Sequence, residues 1–171
     1  MGIESSNSGL YLHIDFDKTP EITFNKAKVR RAFVNVGQRV MAESRRLVAR
    51  RAISKAGEAP GFRTGRLSKS IGYKVPTATA SRPGFMVKVA PNQKGGKGSR
   101  PITGDFYPAF LWYGVRRGAK RGKKHKKGSS GGSPWRIAPR KNFMEQALHN
   151  KRAWIEQVLF NALQDSVKVP K

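Results

Sequence analysis

Hydrophobic positions along this chain follow two periods, and each stretch of regular period predicts an element. From Leu10 to Asp17 the alternation is strict: Leu10, Leu12, Ile14 and Phe16 fall on one side, and Tyr11, His13, Asp15 and Asp17 on the other. That is the pattern of a strand buried on one face. Pro20 and Thr23 predict a turn and a helix N-cap. Val29, Phe33, Val36 and Val40 then recur at helical spacing, and Leu47, Val48 and Ala52 extend the stripe. The spacing predicts a helix from about Phe24 to Ala56, closed by Gly57 and Pro60. Ile71, Tyr73 and Val75, then Phe85, Val87 and Val89, form two short alternating runs that read as a hairpin across the polar linker TATASRPG. From Asn142 onward, Phe143, Met144, Ala147, Leu148, Trp154, Ile155, Val158, Leu159 and Leu163 predict a second long helix ending before Pro170.

These elements imply an α+β fold class, a small antiparallel sheet packed against two long helices. Residues 91–134 interrupt it. There NQKGGKGSRPITGD and RRGAKRGKKHKKGSSGGS are poor in apolar residues and rich in Gly, Lys and Arg, and they flank the aromatic island FYPAFLWYG at 106–114. A stretch of this kind reads as a long basic Gly/Lys-rich loop insertion. With 171 residues, 37% of them hydrophobic, the whole chain is expected to form a single domain, 1–171.

Charge changes the picture most. Thirty-five Lys and Arg against ten Asp and Glu give a formal net charge of +25. A compact body with that excess repels itself, so a polyanion, an acidic protein partner or a crowded assembly is implied. The long helix concentrates the excess in Lys26, Lys28, Arg30, Arg31, Arg39, Arg45, Arg46, Arg50 and Arg51. Cysteine is absent, which excludes disulfides and thiolate metal sites. No basic segment followed by an apolar run opens the chain, and no stretch has the length of a membrane span, so the sequence reads as a soluble, cytoplasmic protein without a membrane partner.

Candidate catalytic chemistry is thin. His13, His125 and His149 sit in unrelated contexts without the spacing of a metal site. Asp15 and Asp17 share a strand face, an arrangement two-metal nucleases use, but no third carboxylate follows at a recognisable spacing, and a polar strand face is the preferred reading. GGKGS at Gly95–Ser99 lacks the leading glycine of a phosphate loop and reads as a flexible loop. No catalytic, cofactor-binding or metal residue is therefore assigned. The densest signal is Arg116, Arg117, Lys120, Arg121, Lys123, Lys124, Lys126 and Lys127, which would neutralise phosphates or an acidic protein surface without reading a base sequence. The other reading is a solvated loop that aids solubility. Phe106, Tyr107, Phe110, Trp112 and Tyr113 could stack on bases, and a packed plug or subunit contact is preferred.

GFRTGRLSKSI, Gly61 to Ile71, contains no acid, histidine or cysteine, so it is geometry or contact. Gly65 frees the backbone, Thr64 can bond locally to cap the next turn of chain, and Arg66 offers a fork to a carboxylate or carbonyl. Pro60 with Thr64, Gly65, Arg66, Leu67, Ser70 and Ile71 is similar to the P-x-x-TG-x-L-x-x-SI element of the neck proteins of tailed bacteriophages, the gene-product-ten-like tail-completion or head-to-tail joining family. Tyr107, Ala109, Phe110, Tyr113 and Gly114 resemble that family's Tyr-x-x-Phe-(Val/Leu)-Glu-x-Gly segment. Ala138, Pro139, Phe143, Ala147 and Leu148 look like its A-x-P-F-x-x-P-A-L lead into the last helix. This chain departs from the pattern in having Leu111 and Trp112 around the family's acid position, Val115 for a frequent threonine, and a longer basic insert.

The resemblance implies a structural virion protein without catalytic activity or cofactor. It would be assembled in the host cytoplasm into a homo-oligomeric ring of roughly six or twelve copies at the neck. Its neighbours would be the head connector or adaptor and the tail terminator or tail tube, with double-stranded DNA passing through the channel. It implies subunit or partner contacts at Thr64, Gly65, Arg66, Leu67, Phe110, Trp112, Tyr113, Gly114, Pro139 and Phe143. An alternative from another class is a stand-alone basic nucleic-acid-binding protein of ribosomal-protein type.

Overall fold

A computed structural model describes residues 3–6, 9–14, 23–48, 54–103, 107–116 and 135–168. Its main sheet has four antiparallel strands: β1 (Ile3–Ser6), β2 (Gly9–Ile14), β4 (Ile71–Lys74) and β5 (Phe85–Pro91), in the order β1-β2-β5-β4. The register pairs Leu10, Leu12 and Ile14 with Val89, Val87 and Phe85, and Tyr73 with Val89. The alternating residues of the hairpin, Ile71, Tyr73, Val75, Phe85, Val87 and Val89, are all buried, so the period-2 pattern reports the core face directly. The expected α+β class is the observed one.

Two 22-residue helices, α1 (Lys26–Leu47) and α4 (Phe143–Gln164), pack on each other and on the sheet. Val29, Phe33, Val36 and Val40 of α1 and Ile155 and Leu159 of α4 are at most 2% exposed. The two helices run antiparallel: Lys28 Nζ donates to the Asp165 carbonyl at 3.2 Å, and fifteen residues further along α1 Glu43 accepts from Asn150 Nδ2 at 2.9 Å. Lys28 thereby brings a cation to the C-terminal end of α4, whose own last turn has no basic residue. Gly37 lets helix and sheet approach closely, since a Cβ there would lie 2.7 Å from Tyr73 Cδ2 and 2.8 Å from Val87 Cγ2.

Both ends of α1 differ from the sequence expectation. Thr23 and Phe24 form β3, paired with β8 (Val167–Lys168), and Asn25 is the N-cap, its Oδ1 accepting from Lys28 N at 3.2 Å. At the other end the helix stops at Leu47 instead of Ala56. Residues 49–53 lie outside the described residues, and Ser54 to Gly57 are not helical. Tertiary bonds take that chain elsewhere: Gly57 N–H donates to the Pro139 carbonyl and Lys141 N–H to the Glu58 carbonyl. Gly57 keeps the predicted left-handed φ of 75° but serves this separate turn.

Of the 91–134 region, residues 91–103 and 107–116 are described, and the rest of the expected loop insertion lies outside the described residues. Gly95–Ser99, expected to be flexible, is a strap across the outer edge of β4: Lys97 and Tyr73 exchange backbone bonds at 2.8 and 3.3 Å, and Arg45 donates to the carbonyls of Gly98 and Ile71. Those bonds occupy the Lys97 amide, and Gly96 N–H is taken by the Gln93 carbonyl, so two of the strap's amides serve the fold itself. Asn92, at φ 52°, then clamps Ile102 by donating to its carbonyl and accepting from its amide. The aromatic island contains α3 (Tyr107–Tyr113), and a two-stranded ribbon of β6 (Val115–Arg116) and β7 (Trp135–Ile137) lies beyond it.

Glu43 is the polar tie between the helices. It is 7% exposed, accepts two bonds from Arg46 at 2.9 and 2.6 Å and one from Asn150. The Arg46 guanidinium holds its carboxyl at about 2, against the opposing pull of burial and with help from Asn150. A carboxyl lowered on folding stabilises the fold above its ordinary pKa of 4.5, and that stability is lost as the pH falls toward 2. Glu43→Gln is therefore expected to lower the unfolding free energy at pH 7 by roughly 2 kcal/mol, allowing for the exposure of Arg46. Denaturant titrations should show the gap to wild type closing between pH 4.5 and 2.

Candidate functional site: a groove and a basic stem at one pole

A short helix, α2 (Arg66–Ser70), begins at Gly65, whose φ of 69° is left-handed. Thr64 Oγ1 lies 3.5 Å from Arg66 N, at the limit of a hydrogen bond, so Gly65 itself is the N-cap and the glycine carries the turn. Both Thr64 and Arg66 are exposed, and Arg66 makes no ion pair among the described residues. Leu67 and Ser70 face inward, Ser70 Oγ donating to the Leu67 carbonyl.

Leu67 is on the floor of a shallow groove. Pro60 and Leu67 line one side, Pro108, Leu111 and Trp112 of α3 another, and Arg140, Lys141 and Phe143 the third. The three sequence elements that carry the family resemblance, spread between Pro60 and Leu148 in the chain, thus contribute walls to one depression. Backbone bonds fix them: Arg140 N–H donates to the Leu111 carbonyl at 2.8 Å, and Asn142 caps α4 by accepting from Met144 N and Glu145 N. The Nε of Arg140 is buried without a hydrogen-bond partner. Lys141 is exposed, so the groove has an apolar floor and cations at its rim.

Gly114 joins this groove to the basic segment. Its φ is 69°, and a Cβ would lie 2.8 Å from the Ile137 carbonyl oxygen, 2.9 Å from Pro139 Cδ and 2.9 Å from Trp135 Cε3. The β6–β7 ribbon can close only because nothing projects there. Gly114→Ala is expected to lower stability by about 2 kcal/mol or more and to blunt the thermal transition monitored by the fluorescence of Trp112 and Trp135. In the ribbon Arg116 pairs with Trp135, and its guanidinium lies 5.4 Å from the ring centroid. Arg116 and Trp135, the described residues on either side of the basic segment, thus sit on adjacent strands.

Of the residues assigned to subunit contact, the structure brings Leu67, Trp112 and Phe143 to the groove, with Phe143 and Leu67 largely buried and Trp112 partly so. Pro139 and Gly114 support it from behind. Phe110 is partly buried, and Tyr113 is 54% exposed. Of the basic set only Arg116 is placed. Arg117, Lys120, Arg121, Lys123, Lys124, Lys126 and Lys127 lie outside the described residues, as do Asp15, Asp17, Phe106 and His125. Arg140 and Lys141 were not singled out by sequence reasoning, because two cations before an N-cap look like ordinary surface. Among the described residues no group of three His, Asp or Glu could hold a metal ion, and no helix is long and apolar enough to cross a membrane.

Several α1 cations make contacts within the fold. Arg30 donates to the carbonyls of Val75 and Pro76, Arg39 lies 5.8 Å from the Trp154 ring, Arg46 pairs with Glu43, and burial lowers the pKa of Arg45. Of the α1 cations only Arg46 is paired with a carboxylate among the described residues, and Lys26, Lys28, Arg30, Arg31 and Arg39 remain exposed. Comparison of the chain with protein-family models, with curated proteins and with solved structures finds no match in any of the three.

Proposed function

We propose that this protein is a structural subunit of a tailed-phage neck, forming a homo-oligomeric ring between the head connector and the tail through which double-stranded DNA passes. One observation carries the reading: the three motifs that resemble the tail-completion family are far apart in sequence and meet at a single groove. What converges is the segments: the first and third motifs contribute Pro60, Leu67 and Phe143, and the second contributes Pro108 with Leu111 and Trp112, the positions at which this chain departs from the family pattern. The basic stem is the second support. Ring symmetry would multiply it into a positive belt facing DNA or an acidic neighbour. The protein's work in this reading is docking and closure, with no chemical step.

The nucleic-acid-binding alternative is favoured by one feature, the +25 charge itself. Light scattering on the full chain across a concentration series, with and without duplex DNA, separates the two. A discrete multimer formed without DNA supports the neck reading. A monomer at every concentration that binds DNA with a steep salt dependence supports the alternative and removes the ring.

A further inference from the structure

We infer that the exposed side of α1 and the strap beside it, from Lys94 to Arg100, form one face that meets the backbone of duplex DNA. This deepens the proposed function by naming the surface turned to the DNA, and rests on that reading only for the DNA itself.

Charge is unevenly shared between the two long helices. α1 carries seven cations against Glu43, a net charge of +6, whereas α4, of the same length, carries two cations against two acids. Glu43 is buried and held by Arg46 and Asn150, so it balances Arg46 and leaves the other cations unopposed within the helix. The exposed positions of α1 are six cations, two amides and two alanines. Lys26 and Arg30 stand about one turn apart, as do Lys28 and Arg31, and the first turn has no acid to meet the helix dipole. Like charges so placed destabilise the helix that bears them. An external polyanion removes that conflict along the whole side.

The strap extends this side. Arg45 donates to the carbonyls of Ile71 and Gly98, and a Cβ at Gly98 would lie 3.2 Å from Met41 Sδ. Lys97 pairs with Tyr73, whose hydroxyl accepts from Gln38 Nε2 at 3.2 Å. The strap therefore runs along α1 from Gln38 to Arg45. It adds the exposed cations Lys94, Lys97 and Arg100 and no acid. From Lys26 to Arg46 the helix spans about 30 Å, close to the roughly 34 Å of one turn of B-DNA.

What the face lacks selects the partner. No large apolar or aromatic side chain is exposed on α1 or between Lys94 and Arg100. A protein partner docks on apolar anchors that become buried, and a single strand stacks its bases on aromatic platforms. The regularly charged backbone of a duplex needs neither and is met by Lys and Arg. Five of the seven α1 cations are arginine, whose fork suits phosphate. Exposed rings lie elsewhere, Tyr113 on α3 and Phe160 on α4, so apolar and polyanion contacts are separated on the surface.

Two full-length triple variants test this by duplex binding across a salt series, with circular dichroism to show that both are folded. Lys26→Gln/Arg31→Gln/Lys97→Gln removes cations from the face, where these three side chains make no hydrogen bond or ion pair among the described residues. Lys55→Gln/Arg63→Gln/Arg152→Gln removes three exposed cations from the connection before α2 and from α4. The slope of log K against log salt is expected to fall by up to about 2.7 in the first, at roughly 0.9 for each lost phosphate contact, and to stay at the wild-type value in the second. Equal slopes in the two would overturn the inference. The chain contains no cysteine, so an iron chelate can be tethered at Asn35→Cys, in the middle of α1. It should cut the duplex backbone where the same chelate at Lys55→Cys does not, and an uncut duplex from Asn35→Cys would equally sink the face. Poly-glutamate that displaces the duplex at equal charge concentration would put an acidic protein in its place and also overturn it. Light scattering without DNA keeps the ring separate: a multimer whose slope ignores the first variant loses this face alone, and a monomer whose slope falls loses the ring and keeps the face.

Discussion

Phe33→Ala is expected to lower the unfolding free energy by about 3 to 5 kcal/mol, out of the roughly 5 to 15 kcal/mol typical of a whole domain. Phe33 is 0% exposed. Its ring meets that of Phe85 at 5.9 Å and a 37° tilt, so truncation leaves a void at the junction of α1 and the sheet and also removes an aromatic pair. Urea titration should show an earlier midpoint with an unchanged slope. Phe160→Ser provides the contrast: that ring is 63% exposed on α4, and its loss should change stability by less than about 0.5 kcal/mol. Equal effects from the two substitutions would contradict the placement of the core.

The second large effect concerns polyanion binding. Replacing Arg117, Lys120, Arg121, Lys123, Lys124, Lys126 and Lys127 by serine is expected to reduce the slope of log K against log salt for duplex DNA by up to about 6, at roughly 0.9 for each phosphate no longer neutralised. Folding stability should be unchanged, because Arg116, Trp135 and the β6–β7 pairing are kept. The physical basis is charge density, since Arg117 to Lys127 carries these seven cations and no acid. An unaltered slope would move DNA contact to the helices and remove the belt from the proposed channel.

Elements whose burial is one-sided were the ones legible in the sequence. The β4–β5 hairpin and α4 have uninterrupted periods because one face meets the core along their whole length. The end of α1 was not legible, since no glycine or proline lies between its last turn and Gly57, and the bond from Gly57 to the Pro139 carbonyl is a tertiary event. Helix α3 escaped because YPAFLWY is apolar at every position and so has no period to detect. β1 reads IESS, too short and polar for a strand signal, and β6 and β7 have two and three residues on either side of a long insert. The Gly95–Ser99 strap looked like a flexible loop because its order comes from Arg45, far earlier in the chain.

The candidate site divides in the same way. Gly65 and Gly114 both stand out in the sequence motifs, and both have left-handed φ values that a side chain resists. Convergence of three segments on one groove is a property of the tertiary fold, and no single segment encodes it. Arg140 matters only because Leu111 holds its backbone and the packing around Phe143 buries its Nε. Before folding it is one arginine among many.

The most direct test of the account is to image the assembled full-length protein by electron microscopy at physiological salt. Closed rings with a central opening wide enough to pass a DNA duplex, the β6–β7 stems pointing into that opening or onto one rim, are the predicted result. Dispersed single subunits under conditions where the protein is folded, or open filaments without a channel, would contradict it.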